Sequence, residues 1–342
     1  MIALRAVVAV LDMLPGKHFA SADVEQKLLG DCADVSLYRA HTAAEIAGDI
    51  AGAEVLIVWS RFALDRSIID KLEGCRGIVC ASVGYEHVDI AGAAARGITV
   101  CHVPAYATEE VADHTLALML ALVRKVALFD TRVRRGEWDW KVARPIPRLR
   151  GLRAGIVGLG RIGTAVARRL HAFGMNIGFY DPYLADGVEK GHGIERYESL
   201  DELLRQSGVV SLHAPLTAET ESMLGRAQLA LLDSGAILVN TARGALIDQQ
   251  ALIEAIQEER LAGVGVDVLD GEPVVPPALL ASERVIVTPH AAWYSAAAFA
   301  ENRYQSAMRA RDIVLGNRPR GVISFRPTPF PQRAEEPAIT TT

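Results

Sequence analysis

Short apolar runs recur along the chain, and between them apolar positions fall at helical spacing. In residues 1–102 the runs are Ala6–Val10, Val35–Tyr38, Val55–Trp59, Ile78–Ala81 and Ile98–Val100. Helical patterns separate them near Ala22–Leu29, Ala43–Ile50, Arg66–Leu72 and Ile90–Arg96. A continuously apolar strand has no solvent face, so this alternation predicts a parallel sheet covered by helices on both sides. The alternation resumes further on, with strands at Val209–Leu212, Ile237–Val239, Val264–Val268 and Val285–Val287 and helices near Leu200–Gln206, Arg226–Leu232 and Gln249–Glu258. The expected class is α/β, with two such layers.

Between the layers the pattern changes. Pro104 marks a boundary, and Thr108-Glu109-Glu110 opens a long helix with acids in its first turn, where the helix dipole favours them. From Leu116 to Val123 that helix is apolar on every side, which predicts burial all round, between layers or against a second subunit. Lys125 to Arg150 carries Trp138 and Trp140 among eight lysines and arginines. It reads as an irregular arm, either a dimer clasp or a loop folded onto its own domain. Ser295 to Leu315 reads as one long helix, and the tail from Arg326, with Pro327, Pro329, Pro331 and Pro337, as a disordered or surface-hugging end.

The stretch from Leu152 to Asp181 organises the second layer. An apolar run, Gly155-Ile156-Val157, meets Gly158-Leu159-Gly160-Arg161-Ile162-Gly163; a helical pattern then places Ile162, Val166 and Leu170 on one face. Gly174 stops that helix, and a second apolar run, Ile177–Tyr180, ends in Asp181. Gly158 permits a sharp turn out of the strand, Gly160 lets a pyrophosphate approach the amides of the helix N-terminus, and Gly163 lets helix and strand pack closely. Asp181 stands where a carboxylate accepts both ribose hydroxyls, and a 2′-phosphate there would meet a negative charge, so NAD is expected over NADP.

Bulk properties narrow the partners. Of 342 residues half are hydrophobic and 23% are charged, enough for a sizeable core. A net charge of −5 gives no support for nucleic-acid binding. The four cysteines, Cys32, Cys75, Cys80 and Cys101, form no CxxC pair and have no histidine at zinc spacing, so no metal is expected and a reduced, cytosolic setting is. The opening run from Ile2 contains Arg5 and reads as a buried strand rather than a signal peptide, and Leu116–Val123 is too short to span a bilayer.

Ligands of an open parallel sheet sit beyond the carboxyl ends of its strands. In the second layer those ends deliver His213-Ala214-Pro215, Asn240-Thr241-Ala242-Arg243-Gly244, Asp267 and Thr288-Pro289-His290; in the first, Ser82-Val83-Gly84-Tyr85 follows a strand in the same way. Reduction of a ketone by NADH needs a proton donor and benefits from a fixed cation at the oxygen. His290 suits the first role, with Glu272 of Asp270-Gly271-Glu272-Pro273 as a carboxylate that favours the charged imidazole. Arg243 offers a planar fork for a carboxylate and a carbonyl oxygen. The substrate class that follows is a 2-oxo or 2-hydroxy acid. His114 and His213 read as structural histidines.

GLGRIG, NTARG, GVDV…GEP and TPHAAW together resemble the D-isomer-specific 2-hydroxyacid dehydrogenases over roughly Val55 to Gly316. Phe179–Leu184, Asp186–Glu189 and Pro289–Ser295 are closer still to the branch of the C-terminal binding proteins. Cys80 stands where the animal corepressors of that branch have arginine, and few residues follow Phe325; both departures weaken a corepressor role and leave the dehydrogenase residues intact. The resemblance implies a Rossmann NAD-binding domain, 103–294, that carries the dimerisation arm. It also implies a flavodoxin-like discontinuous substrate domain, 1–102 with 295–326, and a tail, 327–342. It implies that Arg243 orients the substrate, Glu272 tunes the histidine, His290 is the acid/base and the Val83–Gly84 amides hold the carboxylate. The substrate would sit between the domains. The expected cofactor contacts are Thr108, Gly158, Gly160, Arg161, Ile162, Gly163, Asp181, Pro215, Thr241, Ala242, Arg243, Asp267 and His290. Trp293 is expected to wall the side-chain end of the pocket, favouring apolar or thioether-bearing 2-oxo acids over glyoxylate. The expected assembly is a cytoplasmic homodimer, free of membrane and nucleic acid. The alternative reading is an NAD-sensing, corepressor-like interaction protein with little catalysis.

Overall fold

The computed structural model describes residues 5–14, 18, 20–59 and 62–323; the expected proline-rich tail lies outside them. These residues form two compact units, one from those up to 104 together with 300–323, the other from 105–299.

The first unit holds five parallel strands, β1 (Ala6–Met13), β2 (Ala33–Ala40), β3 (Val55–Val58), β4 (Gly77–Cys80) and β5 (Thr99–His102), in the order β2-β1-β3-β4-β5. Every residue of β3 and β4 is buried, as their unbroken apolar runs require, whereas the edge strand β2 is mostly part-exposed. This is the flavodoxin-like order, with the chain reversing direction between β1 and β3. β1 and β2 run longer than their apolar cores suggested, and Ala43–Ile50 divides into a 3-10 turn and a single helical turn. The C-terminal helix Ala296–Val314 is one element, and from residue 300 it belongs to this unit. Ile313 lies so close to Gly77 that a Cβ there would meet it at 2.5 Å. Arg303 ties the helix to the helix Asp23–Leu29 through the buried Glu25, with one guanidinium bond of 3.0 Å.

The second unit holds seven parallel strands: β6 (Arg153–Val157), β7 (Asn176–Tyr180), β8 (Glu195–Arg196), β9 (Val209–Leu212), β10 (Ile237–Asn240), β11 (Gly263–Val266) and β12 (Val285–Val287). Their order, β12-β11-β10-β9-β6-β7-β8, is the doubly wound Rossmann arrangement, reversing between β6 and β9. The two-residue β8 is too short to leave a periodic trace in the sequence. β11 ends at Val266, so Asp267 stands just past the strand rather than within it.

The helix Thr108–Val123 lies on β11, where Gly263 and Gly265 leave room for Leu122 and Leu118. Within this chain it is buried on one face, and Ala117 is exposed and Leu120 and Ala121 half-open, which leaves of the two expected coverings the one against a second subunit. The following segment is not irregular. Val126–Arg134 is a helix and Trp140–Ala143 a 3-10 turn. No residue of Val126–Arg134 is buried, so no core-facing stripe marks it in the sequence. Among the described residues no helix is long and apolar enough to cross a membrane.

Candidate active site

Gly158 follows β6 with φ +89°, and a Cβ there would lie 2.7 Å from the Ala214 amide nitrogen. Only glycine fits both the backbone region and the space. Gly163 is held as tightly, since its Cβ would lie 2.2 Å from the Gly158 carbonyl oxygen. Gly160, the residue capping helix Arg161–Ala172, is the opposite case: a Cβ there would meet nothing within 4 Å. Sequence spacing assigned all three glycines their roles, and the two packing roles are visible directly. The open space over Gly160, beside the first amides of a 12-residue helix, fits a diphosphate. Thr108, Arg161 and Arg168 line a 430 Å³ cavity beside Gly160.

Asp181 follows β7 and accepts the amides of Leu159 at 3.0 Å and Tyr183 at 3.1 Å. Those bonds fix the carboxylate and leave acceptor positions on both oxygens for ribose hydroxyls. The residues therefore fit a dinucleotide. Pro215 is exposed beyond β9, its carbonyl taken by the Thr220 hydroxyl at 2.6 Å. Thr241 is buried and its hydroxyl pairs with that of Thr115 at 2.8 Å, which leaves its backbone for a cofactor. His213, beside Pro215, shares a 2.8 Å hydrogen bond with Ser211, and burial pushes its pKa down to about 3 although the residue keeps part of its surface.

Three loops bring the chemistry together. After β10 the buried Asn240 closes its own turn, accepting the Ala242 amide at 3.0 Å and donating to the Arg243 carbonyl at 2.8 Å. Arg243 Nη1 donates to Ala242 O at 2.6 Å. Gly244 packs so closely that a Cβ would lie 2.0 Å from the Leu269 carbonyl carbon. That contact sets the Arg243 loop against the loop bearing Glu272. Glu272 accepts the Leu269 amide at 2.9 Å with one oxygen and His290 Nδ1 at 2.9 Å with the other. A carboxylate has no proton to give, so Nδ1 carries the hydrogen of this pair.

His290 sits at φ +55°, a left-handed backbone rare outside glycine. Asp267 holds it there. Its buried carboxylate accepts the amides of Ala291 and Ala292, each at 2.9 Å, and the Thr288 hydroxyl at 2.5 Å, while its carbonyl accepts the His290 amide at 2.8 Å. Three of the four acceptor positions on the Asp267 carboxylate are thereby used. The expected cofactor contact has one left, and the residue's evident work is to shape the His290 turn.

Sequence reasoning missed the rest of this network. Thr288 gives its only proton to Asp267, so its 3.0 Å contact with His114 Nε2 requires the imidazole to donate. Trp293 stands edge-on to Tyr106 at 6.2 Å and packs on Tyr294 and Phe299. Burial raises the Tyr106 phenol well above its usual range, and the nearby Arg243 charge opposes this. Among the described residues no group of three or more His, Cys, Asp or Glu is placed to hold a metal ion. Val83 and Gly84 belong to the first unit, in the turn after β4.

Residues 116–292 match the model of the D-isomer specific 2-hydroxyacid dehydrogenase NAD-binding domain. The chain belongs to this family. It is an NAD-dependent oxidoreductase of 2-hydroxy acids. Over 235 residues it is 44% identical to a glyoxylate reductase of Korarchaeum cryptofilum, covering 67% of this chain and 70% of that one. Over 264 residues it is 39% identical to a D-3-phosphoglycerate dehydrogenase of Methanocaldococcus jannaschii, covering 77% of this chain but only 50% of that one. This chain thus spans about half of that relative's length. A D-lactate dehydrogenase of Aquifex aeolicus, solved with NAD and lactic acid, superposes with a TM-score of 0.81 at 30% identity over 91% of this chain and 96% of that one.

Proposed function

We propose that the chain reduces a 2-oxo acid to the D-2-hydroxy acid, with His290 as acid/base, Glu272 supporting it and Arg243 orienting the substrate. NADH, when bound, supplies the hydride to the carbonyl carbon. His290 Nε2 gives its proton to the carbonyl oxygen, so the ketone gains two electrons and a proton becomes the hydroxyl hydrogen. Glu272 keeps the ring oriented and stabilises the imidazolium between turnovers. Arg243 polarises the oxygen and pairs with the carboxylate, while the amides of Val83 and Gly84 bind that carboxylate. One observation carries this reading: the His290–Glu272 pair at 2.9 Å, held in a left-handed turn by Asp267.

Trp293 and Tyr106 form an apolar wall that we assign to the substrate's side chain, which favours 2-oxo acids longer than glyoxylate. A panel of 2-oxo acids assayed with NADH tests both points. The expected result is turnover, with higher kcat/KM for apolar or thioether-bearing acids than for glyoxylate, and a gain for glyoxylate in Trp293→Ala. Preference for glyoxylate in the wild type removes the wall assignment; inactivity on the whole panel removes the acid/base reading and leaves the NAD-sensing alternative.

The assembly proposed is a homodimer built from the second unit. Trp138 is 89% and Trp140 62% exposed, and they lie on the same segment as the exposed Val126 and Val133. Ala121, Leu128 and Val142 line a 530 Å³ cavity together with Lys125, Arg132 and Glu283. Large apolar side chains left exposed together on one segment support an interaction surface. The free thiols of Cys32, Cys75, Cys80 and Cys101 suit a cytoplasmic setting.

A further inference from the structure

The turn after β4 has its carbonyls taken one after another. Ala81 O accepts the side-chain amide of the buried Asn302 at 2.9 Å, and Ser82 O accepts the Val103 amide at 3.1 Å. Val83 O accepts His102 Nδ1 at 2.7 Å, and Gly84 O accepts the Ser82 hydroxyl at 2.6 Å. Among the described residues, by contrast, no hydrogen bond uses the amide of Val83 or Gly84, and both residues are part-exposed. A turn whose oxygens are all tied back presents its N–H groups outward, which makes a concave anion site.

His102 is the side chain that determines this at Val83. A carbonyl has no proton to give, so the imidazole must carry hydrogen on Nδ1. The ring is braced edge-on against Tyr85 at 5.3 Å, and its backbone amide donates to Gly321 O at 3.0 Å. Gly321, at φ +71°, lies so close that a Cβ would meet the His102 carbonyl oxygen at 2.4 Å. Ring and backbone are thus both fixed.

We infer that His102 is a positioning residue for substrate carboxylate: by holding the Val83 carbonyl it aims the Gly84 N–H of the same peptide, while the Val103 amide on the Ser82 carbonyl aims the Val83 N–H, so that the two amides take the two carboxylate oxygens. The inference rests on the reading of the substrate as a 2-oxo acid.

Nδ1 of histidine and Nδ2 of asparagine stand at the same distance from Cβ, so asparagine can keep the bond and leucine cannot. The test compares His102→Leu and His102→Asn on the best 2-oxo acid of the panel and on its methyl ester, pyruvate against methyl pyruvate for example. In His102→Leu, KM for the acid rises about tenfold, the worth of one such hydrogen bond, and the preference for acid over ester falls by the same factor. kcat and KM for NADH stay near wild type, and His102→Asn restores most of the loss. Ser82→Ala, which frees the Gly84 carbonyl, shifts KM in the same direction. His102→Leu with an unchanged acid-to-ester preference overturns the inference while the wild type's turnover keeps the functional reading. A variant that loses melting temperature and kcat without a selective KM effect marks His102 as structural and overturns it too. A wild type inactive on every 2-oxo acid overturns both.

Discussion

Asp267 spends its carboxylate on the amides of Ala291 and Ala292 and on the Thr288 hydroxyl, so His290 is held in a backbone conformation that a histidine seldom adopts. Loosening that turn should cost rate before it costs binding. Thr288→Val removes the hydroxyl that links Asp267 to His114, and kcat is expected to fall about tenfold, the loss of one hydrogen bond to a charged group, with KM for NADH unchanged. Thr288→Ser should recover most of it. A Thr288→Val enzyme with wild-type kcat would show that the turn needs no such brace. At this scale His290, Glu272 and Arg243 were legible because each follows a strand and so falls at the ligand edge of a parallel sheet. The His114–Thr288 contact was not, since it joins positions 174 apart and no local spacing encodes it. Asp267 was read as a cofactor contact for a related reason: its place at the edge is written in the sequence, but the amides it holds depend on how the next loop folds back.

The glycine turn shows what spacing carries well. Gly158 and Gly163 lie where a Cβ would strike backbone at 2.7 and 2.2 Å, so their identities are dictated by contacts five residues or fewer apart or by the neighbouring strand. The segment after Val123 shows the reverse. Its helix Val126–Arg134 buries nothing within the chain, so the periodicity that reveals amphipathic helices is missing. The end of β9 carries a pH consequence. The folded pKa of His213 is pushed down to about 3 from 6.5, so the unfolded chain takes up the proton first. Stability from this site is therefore present above about pH 6.5 and is lost as the pH falls towards 3. Partial exposure of the residue moderates the loss. His213→Gln, which can keep a bond to Ser211, should flatten the decline in melting temperature between those limits. An identical acid limb in the variant would place the acid sensitivity elsewhere.

At the scale of the whole chain, the parallel, two-face-covered character of both sheets follows from the alternation of apolar strands and helices, because parallel strands demand crossovers and crossovers cover both faces; the flavodoxin-like order of the first came from the family resemblance. The return of the C-terminal helix to the first unit had no local mark; it came from the family resemblance, and the Arg303–Glu25 and Asn302–Ala81 bonds now account for it physically. The apolar run of the helix Thr108–Val123 predicts burial all round, between layers or against a second subunit, and the chain itself covers one face of it. Velocity sedimentation measures what covers the rest. A dimer is expected, and Val133→Glu with Trp140→Glu should convert it to monomer; a monomeric wild type would dismiss the dimer. The most direct measurement of the catalytic reading is steady-state turnover of His290→Ala on the best 2-oxo acid, alongside NADH binding by fluorescence. Loss of kcat by about a hundredfold or more, the contribution of a positioned acid, with NADH affinity unchanged is the result expected. Turnover within a few-fold of wild type would contradict it.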